Sequence, residues 1–247
     1  MSRAITIGLL IVAAAIAPWA SLRLGEVPAV VTVMSVIHTL TSLLVAGVAF
    51  SRLRLMGRLA AAIQGSAYIT VSILIGAYVG FFPGAIVPHP WPGGGTDAAL
   101  WFYAAWHLLA GLLVIGYSMP WGKAKRIVPE RLRSRVMVAF IAGSIVSGAA
   151  IVAGCMRAAS VSAPLVDQDL HFTLGARLST IAIAGFLFVA WLRARSVLRF
   201  GDTVERGVYV TAFALFIDVA LCAAGGGRYT LGWYAARVLA AAEVTSD

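Results

Sequence analysis

Long apolar runs alternate with short polar loops along almost the whole chain. An α-helix needs about 20 predominantly apolar residues to cross the hydrocarbon core of a bilayer. By this measure the pattern predicts seven full transmembrane helices, at approximately 4–22, 28–50, 58–82, 98–119, 136–156, 173–192 and 207–224. An eighth segment, about 230–244, has a helical pattern but is too short for a standard span.

The composition supports one all-α polytopic membrane domain over 1–247. Hydrophobic residues make up 61% of the chain and charged residues only 12%, with a mean hydropathy of +0.92, so too little polar surface exists to cover a soluble core. The first apolar run, Ala4–Ala20, resembles a signal peptide, but it is longer than a signal-peptide core and more membrane follows. We therefore assign it to the first span.

The distribution of basic residues predicts the orientation. The loops after the second, fourth and sixth spans carry most of the 19 Lys and Arg residues, whereas the other loops carry only Arg23, Arg157 and Arg228. Basic loops stay on the cytoplasmic side, so the N-terminus is predicted to be cytoplasmic. The formal charge of +9 is explained by this bias, and we exclude a nucleic-acid-binding role.

Two histidines lie inside predicted spans. His38 and His107 each precede a glycine by nine residues, in helices that run in the same direction, so they are expected at similar depth. Ionisable groups inside a membrane are costly and often mark a functional site. Two imidazoles could ligate a haem or a metal, hold a quinone headgroup or relay a proton, or each could hydrogen-bond to a neighbouring helix.

Asp218 is the only acid inside a predicted span. A buried carboxylate needs a partner or becomes protonated. The candidate partners are Arg237 in the last segment, Arg177 and the two histidines.

Aromatic residues gather near the outer ends of the fourth span and the last segment. They are typical of an interfacial belt, and together with Arg228 they could also form the wall of a pocket. The set comprises Trp101, Tyr103, Trp106, Tyr229, Trp233 and Tyr234.

Sequence motifs for catalysis are absent. The chain has no P-loop, no His-Glu-x-x-His, no Gly-x-Ser-x-Gly and no pair of carboxylates. We therefore predict a protein that is not an enzyme and has no metal site. The cofactor is left unknown, with haem b on His38 and His107 as an alternative.

Two motifs carry a resemblance to a known family. The first is the Pro/Gly loop that begins at Phe82-Pro-Gly84 and leads into Ala104-Ala-Trp106-His107. The second is Gly227-Arg228-Tyr229-Thr-Leu-Gly232-Trp233-Tyr234-Ala-Ala-Arg237. Both resemble the fourth class of MASE-type membrane-associated sensor domains, and Asp218 fits an acid that this family usually places in the span before its last. The likeness covers spans two to eight.

The resemblance implies an eight-helix input domain in the bacterial inner (plasma) membrane. In that family the last helix leads to a cytoplasmic diguanylate cyclase or histidine kinase. Here the chain ends at Asp247, shortly after that helix. We therefore expect an isolated domain, or a stand-alone relative that signals by contacting a cyclase, a kinase or another copy of itself.

These observations favour a non-catalytic sensor that binds a small or lipophilic ligand between helices and signals through its C-terminal helix. A haem- or quinone-binding redox protein is one alternative. A small transporter is another, although the inner halves of the second and fourth spans are almost wholly apolar. The predicted site residues are His38, Tyr103, Trp106, His107, Asp218, Arg228, Tyr229, Trp233 and Arg237.

Overall fold

The computed structural model describes residues 2–86, 97–119, 127–197 and 203–244. Within these ranges the chain forms eight α-helices and no strand, which confirms the predicted all-α polytopic membrane fold. The helices are α1 (Ser2–Ile16), α2 (Pro28–Met56), α3 (Leu59–Phe81), α4 (Ala98–Tyr117), α5 (Glu130–Val161), α6 (Leu174–Val197), α7 (Thr203–Gly225) and α8 (Leu231–Val244).

Six helices, α2 to α7, are long and apolar enough to cross a membrane. The predicted seven full spans are therefore not confirmed, because α1 has 15 residues and passes into a 3₁₀ turn at Ala17–Trp19. Pro18 lies in this turn, and proline lacks the amide hydrogen that would continue the α-helix. The last helix, α8, has 14 residues and is shortened as predicted.

The C-terminal end of α2, which the basic loops predict to face the cytoplasm, is closed by contacts with the start of α5. Gly57 follows α2 in a left-handed conformation (φ 69°) and donates its amide to the Leu53 carbonyl at 2.8 Å. Arg133 Nη1 donates to the carbonyls of Arg54 and Leu55 at 2.9 and 3.1 Å. These bonds satisfy carbonyls that a helix end leaves without partners.

Helix α7 lies at the centre of the bundle and α5 at its edge. Of the six long helices, α7 has the largest buried share and α5 the smallest, at 61% and 11% of their most apolar stretches. Helix α7 packs against α1, α6 and α8, while α3 packs against α2, α4 and α5. The large apolar side chains left exposed on α1, α2, α5 and α6 are suited to lipid contact. The protein is a multi-pass membrane protein.

Three connecting segments pair through their main chains at the end of the bundle where α2, α4, α6 and α8 begin, which the basic loops predict to face outward and which is called the outer end below. The Leu24 amide donates to the Tyr229 carbonyl at 2.9 Å, and the Arg228 amide donates to the Leu170 carbonyl at 2.9 Å. The segment before α8 is thus held between the connections α1–α2 and α5–α6. This arrangement fixes where α8 enters the bundle.

Candidate functional site

The turn from α7 to α8 brings the two helices unusually close. Gly226 adopts φ 68°, and the Thr230 hydroxyl accepts a hydrogen bond from the Trp233 amide at 3.3 Å as the N-cap of α8. A Cβ on Gly232 would lie only 2.5 Å from the Leu221 carbonyl oxygen of α7. This close packing turns Trp233 and Arg237, four residues apart, towards the centre of the bundle.

Asp218 of α7 is the centre of a buried polar cluster. Its Oδ1 accepts a hydrogen bond from the Tyr103 hydroxyl at 3.1 Å and lies 3.5 Å from Arg237 Nη1. Its Oδ2 lies 3.0 Å from His107 Nε2. Asp218 and His107 are fully buried. Two of the three expected kinds of partner, Arg237 and a histidine, are therefore in place, whereas Arg177 donates to the Phe172 carbonyl at the outer end.

The hydrogen bonds of His107 show how many protons this pair carries. Its Nδ1 lies 2.7 Å from the Tyr103 carbonyl, which can only accept, so Nδ1 must carry a hydrogen. The contact between Nε2 and Asp218 Oδ2 then needs one further proton, on either atom. Histidine and carboxylate together are therefore neutral, as imidazolium with carboxylate or as imidazole with carboxylic acid.

Arg237 lies in an aromatic cage beside this pair. Its Cζ is 4.6 Å from the ring centroid of Tyr103, 4.8 Å from Trp233 and 5.8 Å from Tyr78. Stacking on aromatic faces stabilises a guanidinium that has left water. Its Nη2 donates to the Tyr78 hydroxyl at 3.3 Å, but Nε and Nη1 find no hydrogen-bond acceptor among the described residues.

A small cavity adjoins the cluster and is shared by five helices, α2, α3, α4, α7 and α8. Its volume is about 20 Å³, whereas a single buried water needs roughly 10–15 Å³. Without rearrangement, this space holds one or two water molecules or a ligand of about that size. The cavity is lined by Met34, Ser35, His38, Ile75, Tyr78, Tyr103, Trp106, Asp218 and Arg237.

The two intramembrane histidines lie near each other but do not face each other. The half-buried ring of His38 meets the edge of the Trp106 indole, with centroids 5.1 Å apart. Trp106 in turn packs on His107 at 3.8 Å. The indole of Trp106 therefore separates the imidazoles, and His38 reaches the cavity while His107 lies behind it.

This arrangement does not fit a haem held by two histidines. Both ring nitrogens of His107 are engaged, by the Tyr103 carbonyl and by Asp218, so neither has a lone pair free for iron. The cavity is also far too small for a porphyrin or a quinone ring.

Arg228 and Tyr229 lie above the cavity, in the turn at the outer end. Arg228 Cζ lies 5.1 Å from the Phe82 ring, and the Tyr229 ring lies 5.2 Å from that of Trp233. Burial lowers the pKa of the Arg228 guanidinium and raises the pKa of the Tyr229 phenol to about 12. Their contacts support the entry of α8, and neither residue lines the cavity.

Sequence reasoning missed the contribution of α3 and part of that of α2. Tyr78 bonds to Arg237 from α3, yet in the sequence it looks like an ordinary interfacial aromatic. Ser35 lines the cavity three residues before His38, a spacing that places both on one helix face and could have been recognised. Met34 and Ile75 carry no sequence signal that separates them from other apolar residues.

Comparison with known proteins identifies a family for this chain. The family model MASE4, described as "Membrane-associated sensor, integral membrane domain", matches residues 25–244. The resemblance noted in the sequence motifs is therefore confirmed. No curated protein and no solved structure matches the chain significantly.

Proposed function

Because the chain belongs to the MASE4 family of membrane-associated sensor domains, we propose that it is the input part of a signalling system. In this proposal a small ligand binds in the cavity beside Asp218, and its binding changes the packing of α8. The family supplies the sensor role, and the position of the cavity against Arg237 supports the ligand site.

The observation that carries the proposal is that Asp218 joins three helices through side chains that are all buried. Tyr103 and His107 reach it from α4, and Arg237 reaches it from α8. An occupant of the cavity touches three of these residues, Tyr103, Asp218 and Arg237. It therefore changes the contacts of α8 directly, without needing a path through other helices.

Helix α8 is suited to transmit such a change. It is short, it begins at the outer end and it runs towards the predicted cytoplasmic face. By the family resemblance, the output would be a cytoplasmic diguanylate cyclase or histidine kinase, and the membrane would be the bacterial inner membrane.

The two alternative functions find less support. A redox protein using His38 and His107 is disfavoured by the engaged nitrogens of His107. A transporter needs a polar path to both faces, but the inner ends of α2, α3 and the segment before α5 pack through an apolar cluster. This cluster consists of Ala46, Phe50, Leu53, Ala61, Ala62 and Val128.

Amide hydrogen exchange of the purified full chain tests the coupling between the cluster and α8. Asp218→Ala removes the group to which Arg237 and α4 are attached. We expect amides of residues 231–239 to exchange at least tenfold faster than in the wild type, because α8 loses its buried anchor.

Ser66→Ala is the matched control. Ser66 and Ser144 share a hydrogen bond between α3 and α5, away from α8. This variant should leave exchange in α8 unchanged. Equal exchange of residues 231–239 in the wild type and in Asp218→Ala would overturn the proposed coupling.

A further inference from the structure

The polar cluster has more positive than negative charge. The titratable and charged groups around the cavity are His38 on α2, Tyr78 on α3, Tyr103 and His107 on α4, Asp218 and Cys222 on α7 and Arg237 on α8. The phenols and the Cys222 thiol are neutral near neutral pH, and the His38 imidazole, which has no carboxylate bonded to it in the described structure, is neutral in this apolar setting. Asp218 and His107 hold one shared proton and are neutral as a pair, as their hydrogen bonds require. The charge of Arg237 is left over.

No other acid supplies the missing negative charge. Asp218 is the only acid among the described residues that is buried as a whole, and Asp97, whose Oδ1 is also buried, accepts a hydrogen bond from the Leu165 amide. The second buried arginine near the outer end, Arg228, has Asp97 close enough to interact electrostatically. Asp218 is near both His107 and Arg237 and cannot balance two positive charges, and a buried net charge is costly, so the site around Arg237 favours an anion that enters it.

Two features of the cavity select the size and charge of that anion. Arg237 is 93% buried, borders the cavity and has two nitrogens, Nε and Nη1, without a hydrogen-bond acceptor in the described structure. The volume of about 20 Å³ admits only a few heavy atoms. One negative charge neutralises the cluster, whereas a second would again leave a net charge in the membrane.

From the charge of the cluster and the unpaired Arg237 nitrogens beside the cavity, we propose that this site binds a small monovalent anion, of the size of formate or chloride. The inference rests on the proposed function and deepens it by naming the ligand class. The anion accepts hydrogen bonds from Arg237, and Asp218 and His107 keep their shared proton. No proton or bond is exchanged with the ligand.

The net charge of the cluster predicts opposite effects on anion binding for substitutions of His107 and of Asp218. His107→Gln provides a neutral amide that donates to Asp218 and needs no shared proton. Asp218 is then ionised and neutralises Arg237, so the anion is no longer required. Asp218→Asn removes the acid but leaves Arg237 as the only charge, so the anion is still required.

Thermal unfolding of the full chain in a non-ionic detergent, titrated with sodium formate, tests the proposal. We expect the unfolding temperature of the wild type to rise with formate concentration. Formamide, which has nearly the same shape and no charge, should have no effect. The apparent affinity should fall at least tenfold in His107→Gln and in Arg237→Gln, and it should stay within about threefold of the wild type in Asp218→Asn.

A second variant covers the event that Arg237→Gln does not fold. Arg237→Lys keeps the positive charge and should still bind formate, although with fewer donors. An equal response to formamide, unchanged formate binding by His107→Gln, or no midpoint shift of the wild type with either formate or chloride would each overturn the proposal.

The inference and the proposed function can fail separately. If Asp218→Ala accelerates exchange in α8 but no small anion stabilises the wild type, the anion site is wrong and the coupling stands. If α8 exchange is unchanged in Asp218→Ala, the signalling proposal is wrong whatever the anion does.

Discussion

Asp218 on α7 and His107 on α4 are joined by a contact of 3.0 Å between Oδ2 and Nε2, and both side chains are fully buried. Because His107 Nδ1 already donates to the Tyr103 carbonyl, this contact must contain a proton. The pair behaves as one neutral unit, which explains how a carboxylate is accommodated in a lipid-embedded bundle.

The neutrality of this pair predicts a difference between two substitutions of Asp218. Asp218→Asn preserves a donor to His107 Nε2 and an acceptor for the Tyr103 hydroxyl, so we expect it to lower the free energy of unfolding by only about 1 kcal/mol. Asp218→Ala leaves both partners unsatisfied and should cost about 3–5 kcal/mol. Denaturant titration of the purified protein measures both values.

Asp167→Asn serves as the control for this comparison. Asp167 lies half-exposed in the connection between α5 and α6, and its substitution should change stability by less than about 0.5 kcal/mol. Equal losses for Asp218→Asn and Asp218→Ala would contradict the expectation that a neutral amide can satisfy both His107 and Tyr103 in place of the carboxyl group.

The close approach of α8 to α7 depends on Gly232. A Cβ at this position would lie 2.5 Å from the Leu221 carbonyl oxygen and 2.9 Å from the Ala20 Cβ. We expect Gly232→Ala to lower the unfolding free energy by about 1–3 kcal/mol, because the two backbones must move apart. Gly116→Ala in α4 meets nothing within 4 Å and should be neutral or stabilising. Denaturant titration measures both values, and similar unfolding midpoints for Gly232→Ala and Gly116→Ala would disprove the dependence on Gly232.

The environment of Tyr229 predicts a loss of stability at high pH. Burial raises the pKa of its phenol to about 12, above the value of about 10 in an unfolded chain. The unfolded state then loses its proton first, so the contribution of Tyr229 is complete below pH 10 and disappears as the pH approaches 12. The stability of the wild type relative to Tyr229→Phe should fall over this interval. Parallel pH profiles of the two proteins would refute this explanation.

The hydrogen bonds of His107 predict the absorption spectrum of the protein. With both ring nitrogens engaged, His107 has no lone pair for iron, so purified protein supplied with haem should show no Soret band that depends on this residue. The measurement compares the wild type with His107→Ala. A Soret band present in the first and lost in the second would restore the haem alternative.

Much of the architecture follows from local composition. A backbone in lipid must satisfy its own hydrogen bonds, so each long apolar run has to form a helix. The predicted spans 28–50 and 98–119 begin at the first residues of α2 (Pro28–Met56) and α4 (Ala98–Tyr117), and α2 continues past residue 50 to Met56. In the region of the predicted first span, apolar character continues through residues 17–22 although the α-helix stops at Ile16.

Only some of the residues that form the site could be predicted from the sequence. A carboxylate or imidazole in an apolar run stands out by its desolvation cost, which is why Asp218, His107 and Arg237 were recognisable in the sequence. Tyr78 was not, because tyrosine is common at the ends of membrane helices, and the only signal for Ser35 was its spacing of three residues from His38.

The sequence by itself determined that the chain is a helical membrane bundle with ionisable groups at depth. Hydropathy and the cost of desolvation depend on each residue type and its local sequence, not on distant contacts. Only the tertiary structure decided which groups meet. The rotation of each helix about its axis depends on contacts between distant residues, such as Gly232 against Leu221. That packing joined His107 to Asp218 rather than to His38, and left Arg237 facing the cavity with a charge to neutralise.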